Sequence, residues 1–294
     1  MDLNCENHKS GENYTAINGD VCQILPQLPN ACIDFSVFSP PFSQVFLYSS
    51  RVEDMGNASS HEDFMDQYDF FAGQMSRVVK PGRLIAVHCT DLPFVKWKDG
   101  KMGIRDFSGD LIKAHEKHGM TLHSRVTIWK DPVVEMTRTK ALGLLHKQLM
   151  KDSTLSRQGM ADYLLIFRNA GENENPVSHT PSEIPVSLWQ KWASPVWMDI
   201  KQTNTLNVKI AKDNNDEKHL CPLQLDLIER SVIMWSNPGD VVLSPFMGVG
   251  SEGVVSVKLG RKFIGVELKD SYFNTACRNL EEAERSSDDL FMAG

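Results

Sequence analysis

Hydrophobic positions change period several times along the chain, and each change marks an element. Val21, Ile24, Leu25 and Leu28 recur at helical spacing behind Asp20, a residue suited to capping a helix. Pro29 ends that segment, and IDFSVFS (33–39) then reads as an apolar strand that Pro40 and Pro41 must stop. From 61 to 79, Phe64, Met65, Tyr68, Phe71, Met75 and Val78 fall three or four residues apart and predict a helix. KPG turns the chain into a buried strand, RLIAVHC (83–89). A helix around 107–118, a strand LHSRVTIWK (122–130), a helix-like KALGLLHKQLM (140–150) and a strand ADYLLIFRN (161–169) follow. The segment 171–187 is polar and proline-bearing and reads as a loop or linker. Trp189, Trp192 and Trp197 cluster just beyond it, and 204–219 looks irregular and exposed. A helix begins in CPLQLDLIERSVIMWS (221–236) and is closed by NPGD. VVLSPFMGVGSEG (241–253) is a strand and glycine loop leading into a helix to Leu259, then the strand KFIGVEL (262–268) and a last helix from about 271 to 284. Strands alternating with helices indicate an α/β sheet.

Composition narrows the class. Of 294 residues, 41% are hydrophobic and 23% charged, which suits a packed globular chain and excludes wholesale disorder. No run of about 18 apolar residues spans a membrane, and the first residues lack the basic start and apolar stretch of a signal peptide. The six cysteines are scattered without a CxxC, which favours a reducing, cytoplasmic setting over a disulfide framework. Cys5 and His8 have a CxxH spacing but no second pair, so no metal is expected. The net charge of −7 argues against a coat of nucleic acid over the whole surface. The charge is uneven, however. Arg77, Lys80, Arg83, Lys96, Lys98, Lys101 and Arg105 form one basic stretch, and Arg125, Lys130, Arg138, Lys140, Lys147, Lys151 and Arg157 a second. Such stretches are either solvated helix faces or a local phosphate-contacting surface.

Two segments carry candidate chemistry. Gly248, Gly250 and Gly253 follow an apolar strand and open a helix near Ser251, where free N–H groups meet a closely approaching ligand. The next strand ends in Glu267, placed to bind a ribose diol. The glycines also fit GxGxxG, so a nicotinamide-binding fold is a rival, and a mere packing turn is the plainer reading. Only one more strand and two helices follow the loop, and Pro245-Phe246 precede its first glycine. An adenosine ligand without a pyrophosphate, such as S-adenosylmethionine, suits this better. The second segment, Ser39-Pro40-Pro41-Phe42, ends a strand. There the prolines fix a carbonyl, the serine adds an acceptor and the phenylalanine a stacking face, a set able to hold a planar ring bearing an amine. Alone, it is equally a rigid turn.

Together and in this order, the two segments resemble the DNA amino-methyltransferases of the β arrangement. The resemblance covers about 15–170 and 216–284: NGDVCQILPQLPNACIDFSVFSPPF, RVVKPGRLIAVH, and the block from His219 to Leu280. The middle block 129–167 is similar to phage and prophage members, and restriction–modification is a setting the resemblance suggests. It implies a Rossmann-like methyltransferase sheet, mostly parallel with one antiparallel strand, helices on both faces and a small irregular target-recognition region. It further implies a catalytic half at 1–170, a linker or target-recognition insert at 171–215 and a cofactor-binding half at 216–294. Position by position, Phe246, Gly248, Gly250 and Ser251 match the loop that cradles S-adenosylmethionine, and Glu267 the acid on its ribose. Asp20 lies where family members approach the cofactor, and the segment from His219 through Pro222 to Gln224 closes its site. Ser39, Pro40, Pro41 and Phe42 match the catalytic loop. Ser244 stands where the family has Asp, which removes a charge near the cofactor, and Cys221 also departs from the pattern.

The implied activity is methyl transfer to the exocyclic amine of a base flipped from double-stranded DNA. Ser39 hydroxyl and Pro40 carbonyl would hold the amine hydrogens, and Phe42 would stack on the base. Serine in the first position favours cytosine N4, with adenine N6 the alternative. A DNA-binding protein of this fold with weak or lost turnover is a further alternative, raised by Ser244, and methylation of RNA or protein another. No Pro-Cys dipeptide of a ring-carbon methyltransferase occurs. Arg138, Lys140, His146, Lys147 and Arg157 are the DNA-binding candidates. The three tryptophans are a target-recognition or packing unit, packing being commoner. His88 reads as a packed strand-end histidine rather than a base, and His115 and His118 as helix-surface residues. The expected location is cytoplasmic and nucleoid-associated, and a homodimer is an implication of the resemblance.

Overall fold

The computed structural model describes residues 4–42, 55–94, 99–206 and 222–292. The strands are β1 (Asn7–Ser10), β2 (Tyr14–Asn18), β3 (Ile33–Phe38), β4 (Val79–Thr90), β5 (Leu92–Pro93), β6 (Ile104–Arg105), β7 (Thr121–Ile128), β8 (Asp162–Arg168), β9 (Val196–Trp197), β10 (Val241–Ser244) and β11 (Lys262–Glu267). The α-helices are α1 (Val21–Ile24), α2 (His61–Val78), α3 (Phe107–Lys117), α4 (Pro132–Thr139), α5 (His146–Lys151), α6 (Val186–Trp192), α7 (Leu225–Trp235), α8 (Ser251–Lys258) and α9 (Asp270–Met292).

One sheet runs in the order β1–β2–β11–β10–β3–β4–β8–β7–β9, and β5 pairs with β6 apart from it. Inside the sheet only β8 is reversed; the short edge strand β1 also runs antiparallel to its neighbour. The expected mostly parallel sheet is therefore present, with β1 a reversed edge that the hydrophobic pattern did not announce. Alternation along the strands sorts the core into two layers. Ile85, Val87, Phe167 and Leu243 pack beneath α1, α2 and α3. Phe35, Val37, Ala86, Leu164 and Val242 face the other way, onto α7, α8 and α9.

Local chemistry explains the boundaries. The Ser60 hydroxyl accepts from Asp63 N at 3.0 Å and starts α2, which buries Phe64, Tyr68, Phe71, Ala72, Met75 and Val78. Asp106 caps α3 and Asp131 caps α4 in the same manner.

Several sequence expectations are corrected. The helix-like 140–150 is broken: Lys140 takes a left-handed φ of 53°, a 3₁₀ turn covers Leu142–Leu144, and Leu145 is extended before α5. Leu142, Leu149 and Met150 stay exposed, so no core selects one continuous helix. The polar segment 171–187 is irregular as far as Pro185, where α6 begins, and β9 follows beyond it. The first three members of the first basic stretch are structural. Arg77 donates to the carbonyls of Leu25 and Leu28, Lys80 pairs with Asp34, and Arg83 is buried against Asp240. Lys96 and Lys98 lie outside the described residues. His115 is fully buried rather than on the helix surface: Tyr68 Oη lies 3.0 Å from its Nε2, and its ring stacks on Phe167 at 4.2 Å. Burial pushes its imidazole down to about 3. Among the described residues, no helix is long and apolar enough to cross a membrane.

Candidate active site

The sheet order fixes where a ligand can lie. From β3 the chain crosses through α2 to β4 on one side; from β10 it crosses through α8 to β11 on the other. The seam between β3 and β10 is therefore a topological switch point, and the crevice outside the carboxyl ends of its strands is the favoured ligand position in such sheets. The seam is locked by the buried Ser36 hydroxyl, which donates to the Leu243 carbonyl at 2.8 Å. Both singled-out segments leave from this seam. Ser39 follows β3 by one residue, and Phe246 follows β10 by two. Phe38, Phe71 and Phe246 close one aromatic cluster, with centroids 5.6, 5.1 and 5.8 Å apart.

The glycine loop is shaped as its sequence requires. Gly248 and Gly250 have φ of 53° and 88°, a region that side chains disfavour. A Cβ on Gly250 would come within 3.2 Å of Ala276, whereas one on Gly248 would enter open space. Gly250 caps α8, and Ser251 is buried in its first turn. Glu267 ties the loop to β11: Gly248 N donates to its Oε2 at 2.9 Å, and Lys269 N to its Oε1 at 2.8 Å. β2 lies beside β11 with Asn18 opposite Glu267, so Asp20 emerges at the same edge. Asp20 Oδ1 accepts from Cys22 N at 2.9 Å, a helix cap as its position in the sequence suggested. Pro222 is half-buried, and His219 lies outside the described residues.

The donor set fits S-adenosylmethionine on grounds internal to the structure. Open space lies over Gly248, α8 presents its N-terminus, and Glu267 holds a carboxylate at a strand end. Buried polar atoms without a hydrogen-bond partner fringe the same edge: Ser244 Oγ at the end of β10, Gln224 Oε1 at the start of α7, and Ser271 Oγ and Tyr272 Oη in the first turn of α9. Buried polar groups are rarely left so, and a polar ligand would answer several of them. Glu252, in the first turn of α8, is buried, and its carboxyl is pushed up to about 8 by that burial, with Glu267 adding to the rise.

The SPPF segment brings a contact that its sequence does not announce. Ser39 Oγ lies 3.2 Å from His88 Nδ1 and 3.2 Å from the His88 carbonyl oxygen. His88 Nε2 faces Asp162 Oδ2 at 3.4 Å, ion-pair range rather than a formed hydrogen bond. Lys130 Nζ donates to Asp162 Oδ1 at 2.6 Å. Burial by itself would raise the Asp162 carboxyl; the His88 and Lys130 contacts outweigh it and hold it at about 2. His88 is packed near the end of β4, as its place in the sequence suggests, and in addition reaches Ser39 and Asp162. The available signal was a titratable residue closing one apolar strand, RLIAVHC, and another opening its neighbour, DYLLIF. Pro40 is buried and Pro41 half-buried; the half-buried Phe42 meets Phe107 edge-on at 6.4 Å.

The second basic stretch departs from the same edge. β7 runs parallel to β4, so the segment 129–161 starts at the edge where the SPPF segment lies. Lys140, His146 and Lys147 are exposed on it. Arg157 is instead tied inward, 3.7 Å from the buried Glu135 and donating to the Gln158 carbonyl. The side chain of Arg138 lies outside the described residues. Trp197 is buried and donates from Nε1 to the Trp192 carbonyl, and Arg230 stacks on both rings; Trp189 is exposed. Trp192 and Trp197 are packing residues.

Comparison with known proteins agrees with this geometry. A DNA methylase family model, of the N6/N4 type, matches residues 33–278. A DNA adenine methyltransferase of Escherichia coli K12, YhdJ, is 23% identical over 292 residues, covering 98% of this chain and 90% of its own. TTHA0409 of Thermus thermophilus, described as a candidate DNA modification methylase and solved with S-adenosyl-L-methionine, superposes with a TM-score of 0.66 at 21% identity, over 91% of this chain and 94% of its own. The cytosine-N4-specific PvuII DNA methyltransferase gives 0.66 at 17%, over 96% and 93%. With 246 consecutive positions spanned by the family model, from Ile33 to Arg278, the chain belongs to the N6/N4 DNA methylase family.

Proposed function

We propose that this chain is an S-adenosylmethionine-dependent DNA methyltransferase acting on the exocyclic amine of an extruded base, and that the base is cytosine, methylated at N4. The observation that carries the reading is the meeting of SPPF and the glycine loop at the carboxyl ends of β3 and β10, joined by the Phe38–Phe71–Phe246 cluster. An exocyclic amine is a poor nucleophile because its lone pair is delocalised into the ring. The Ser39 hydroxyl and Pro40 carbonyl hold its hydrogens and localise that pair, and Phe42 offers a stacking face. When bound, S-adenosylmethionine supplies a sulfonium methyl whose departure leaves a neutral thioether. Phe246, Gly248, Gly250, Ser251 and Glu267 hold the cofactor, with Asp20 and Pro222 at its margins, so that positioning supplies much of the rate. Lys140, His146 and Lys147, with Arg138, are the phosphate contacts on the 129–161 insert, and the region around α6 and β9 flanks the duplex. Ser39 supports cytosine. The adenine-specific E. coli relative supports the second reading, adenine N6.

The test digests DNA treated with the protein and S-adenosylmethionine to nucleosides and weighs them. N4-methylcytosine is expected; N6-methyladenine selects the second reading; DNA binding without any methylated nucleoside returns the inactive DNA-binding alternative.

A further inference from the structure

Ser39, His88, Asp162 and Lys130 come from four different chain segments, at the ends of β3, β4, β8 and β7, yet they form one line. By strand alternation all four project to the same face of the sheet at its carboxyl edge. The middle members are sealed: the side chains of His88, Asp162 and Lys130 are 9%, 12% and 11% exposed. Burying an imidazole, a carboxylate and an ammonium is costly unless the arrangement has a use. A structural pair would need only Asp162 and Lys130, which already meet at 2.6 Å. His88 adds a second contact to Asp162, at 3.4 Å, and it also reaches the Ser39 hydroxyl.

We infer that His88 is a positioning residue that receives, through Ser39, the proton released when the base amine is methylated, with Asp162 and Lys130 holding it in register. This rests on the methyltransferase reading above. The amine nitrogen forms its bond to the methyl carbon as the carbon–sulfur bond breaks with its pair on sulfur, and nitrogen sheds one proton. Ser39 Oγ takes that proton and passes its own to His88 Nδ1. Nε2–H keeps facing Asp162, which stays ionised because Lys130 neutralises its other oxygen. Between turnovers the imidazolium returns the proton to water.

The geometry provides for both proton states of the hydroxyl. While His88 is neutral, Ser39 donates to Nδ1 and its lone pairs are open to the amine hydrogen. Once Nδ1 carries the proton, the Ser39 hydrogen turns to the His88 carbonyl oxygen, also 3.2 Å away. The hydroxyl is never left without an acceptor, so the shuttle needs no backbone movement.

Among the described residues, His88 meets Ser39 from β3 and Asp162 from β8, and Lys130, beyond β7, holds the other oxygen of Asp162. Arg125, Tyr163 and Cys89 project to the opposite face of the sheet, with Asp91 and Asp106 close to them. A pH dependence that disappears with the imidazole is therefore assigned to His88.

The experiment measures single-turnover methylation of DNA by the full chain against pH, for wild type, His88→Gln and Asp162→Asn. Thermal melting and S-adenosylmethionine affinity are measured alongside. Glutamine keeps a hydrogen bond to Ser39 but takes no proton. His88→Gln should bind the cofactor as wild type does, slow methyl transfer about 100-fold, and lose the acid limb of the profile. Asp162→Asn should slow transfer by about tenfold and shift the acid limb without removing it. Transfer at the wild-type rate by His88→Gln, or a slower rate with the acid limb intact, overturns the relay. A wild-type chain that puts no methyl on DNA overturns the parent reading first.

Discussion

Ser36 and Leu243, 207 positions apart, share a buried hydrogen bond from the serine hydroxyl to the leucine carbonyl. That bond crosses the seam whose far ends become the SPPF segment and the glycine loop. Ser36→Ala leaves the bonded carbonyl short of a buried partner and should cost about 1–3 kcal/mol. Chemical denaturation measures it. If the seam also sets the spacing of the two loops, methyl transfer should fall more than cofactor affinity does.

Gly248 separates a fold requirement from a ligand requirement. Its left-handed φ of 53° makes alanine cost only about 1 kcal/mol. An added Cβ meets no protein atom within 4 Å and instead occupies the space assigned to the cofactor. Gly248→Ala should therefore melt within a few degrees of wild type while cofactor binding, read by calorimetry, weakens about tenfold or more.

Glu252 should give the protein a recognisable pH dependence. Its carboxyl ordinarily titrates near 4.5, and burial raises it to about 8 in the folded state. Between those values the unfolded chain is ionised and the folded one is not. Glu252 therefore contributes a loss of stability that grows from about pH 4.5 to about pH 8 and is level above. Glu252→Gln should remove that slope and raise the melting temperature at pH 8, the difference being of the order of a few kcal/mol. Melting curves of both proteins from about pH 5 to about pH 9 decide it.

Arg83 and Asp240 are buried together, and Arg83 also donates to the carbonyls of Asp34 and Asn175. Asp240→Ala strands a guanidinium in the core and should cost about 3–5 kcal/mol, read in the urea midpoint. Activity per folded molecule should be unchanged, because neither residue reaches the crevice.

Much of the core sheet was legible because its strands are continuous apolar runs with sharp punctuation: IDFSVFS before two prolines, VVLS before a glycine loop, KFIGVEL carrying Glu267 at its end. β1 and β2 were missed because NHKS is wholly exposed and YTAIN is too short to show a period. The continuous helix expected over 140–150 fails because Leu142, Leu149 and Met150 stay exposed and no core face selects it. Glu267 ends β11, Gly248 lies in the turn before α8 and Asp20 caps α1, placements that local patterning makes readable. His88, Asp162 and Lys130 could not be joined in advance, since their meeting depends on strand order: β4 beside a reversed β8, and β8 beside β7. His115 was misjudged because a histidine in a polar helix gives no sign of the aromatic pocket, Tyr68 and Phe167, that encloses it.

One measurement bears most directly on the central claim. Unmethylated duplex DNA is incubated with the chain and S-adenosylmethionine carrying an isotopically heavy methyl, then hydrolysed and its nucleosides identified by mass, with Ser39→Ala and Phe42→Ala run in parallel. The heavy methyl should appear on the exocyclic nitrogen of cytosine, and both variants should lose it while still binding the cofactor. Undiminished methylation by both variants, or a heavy methyl on no base, would contradict the account.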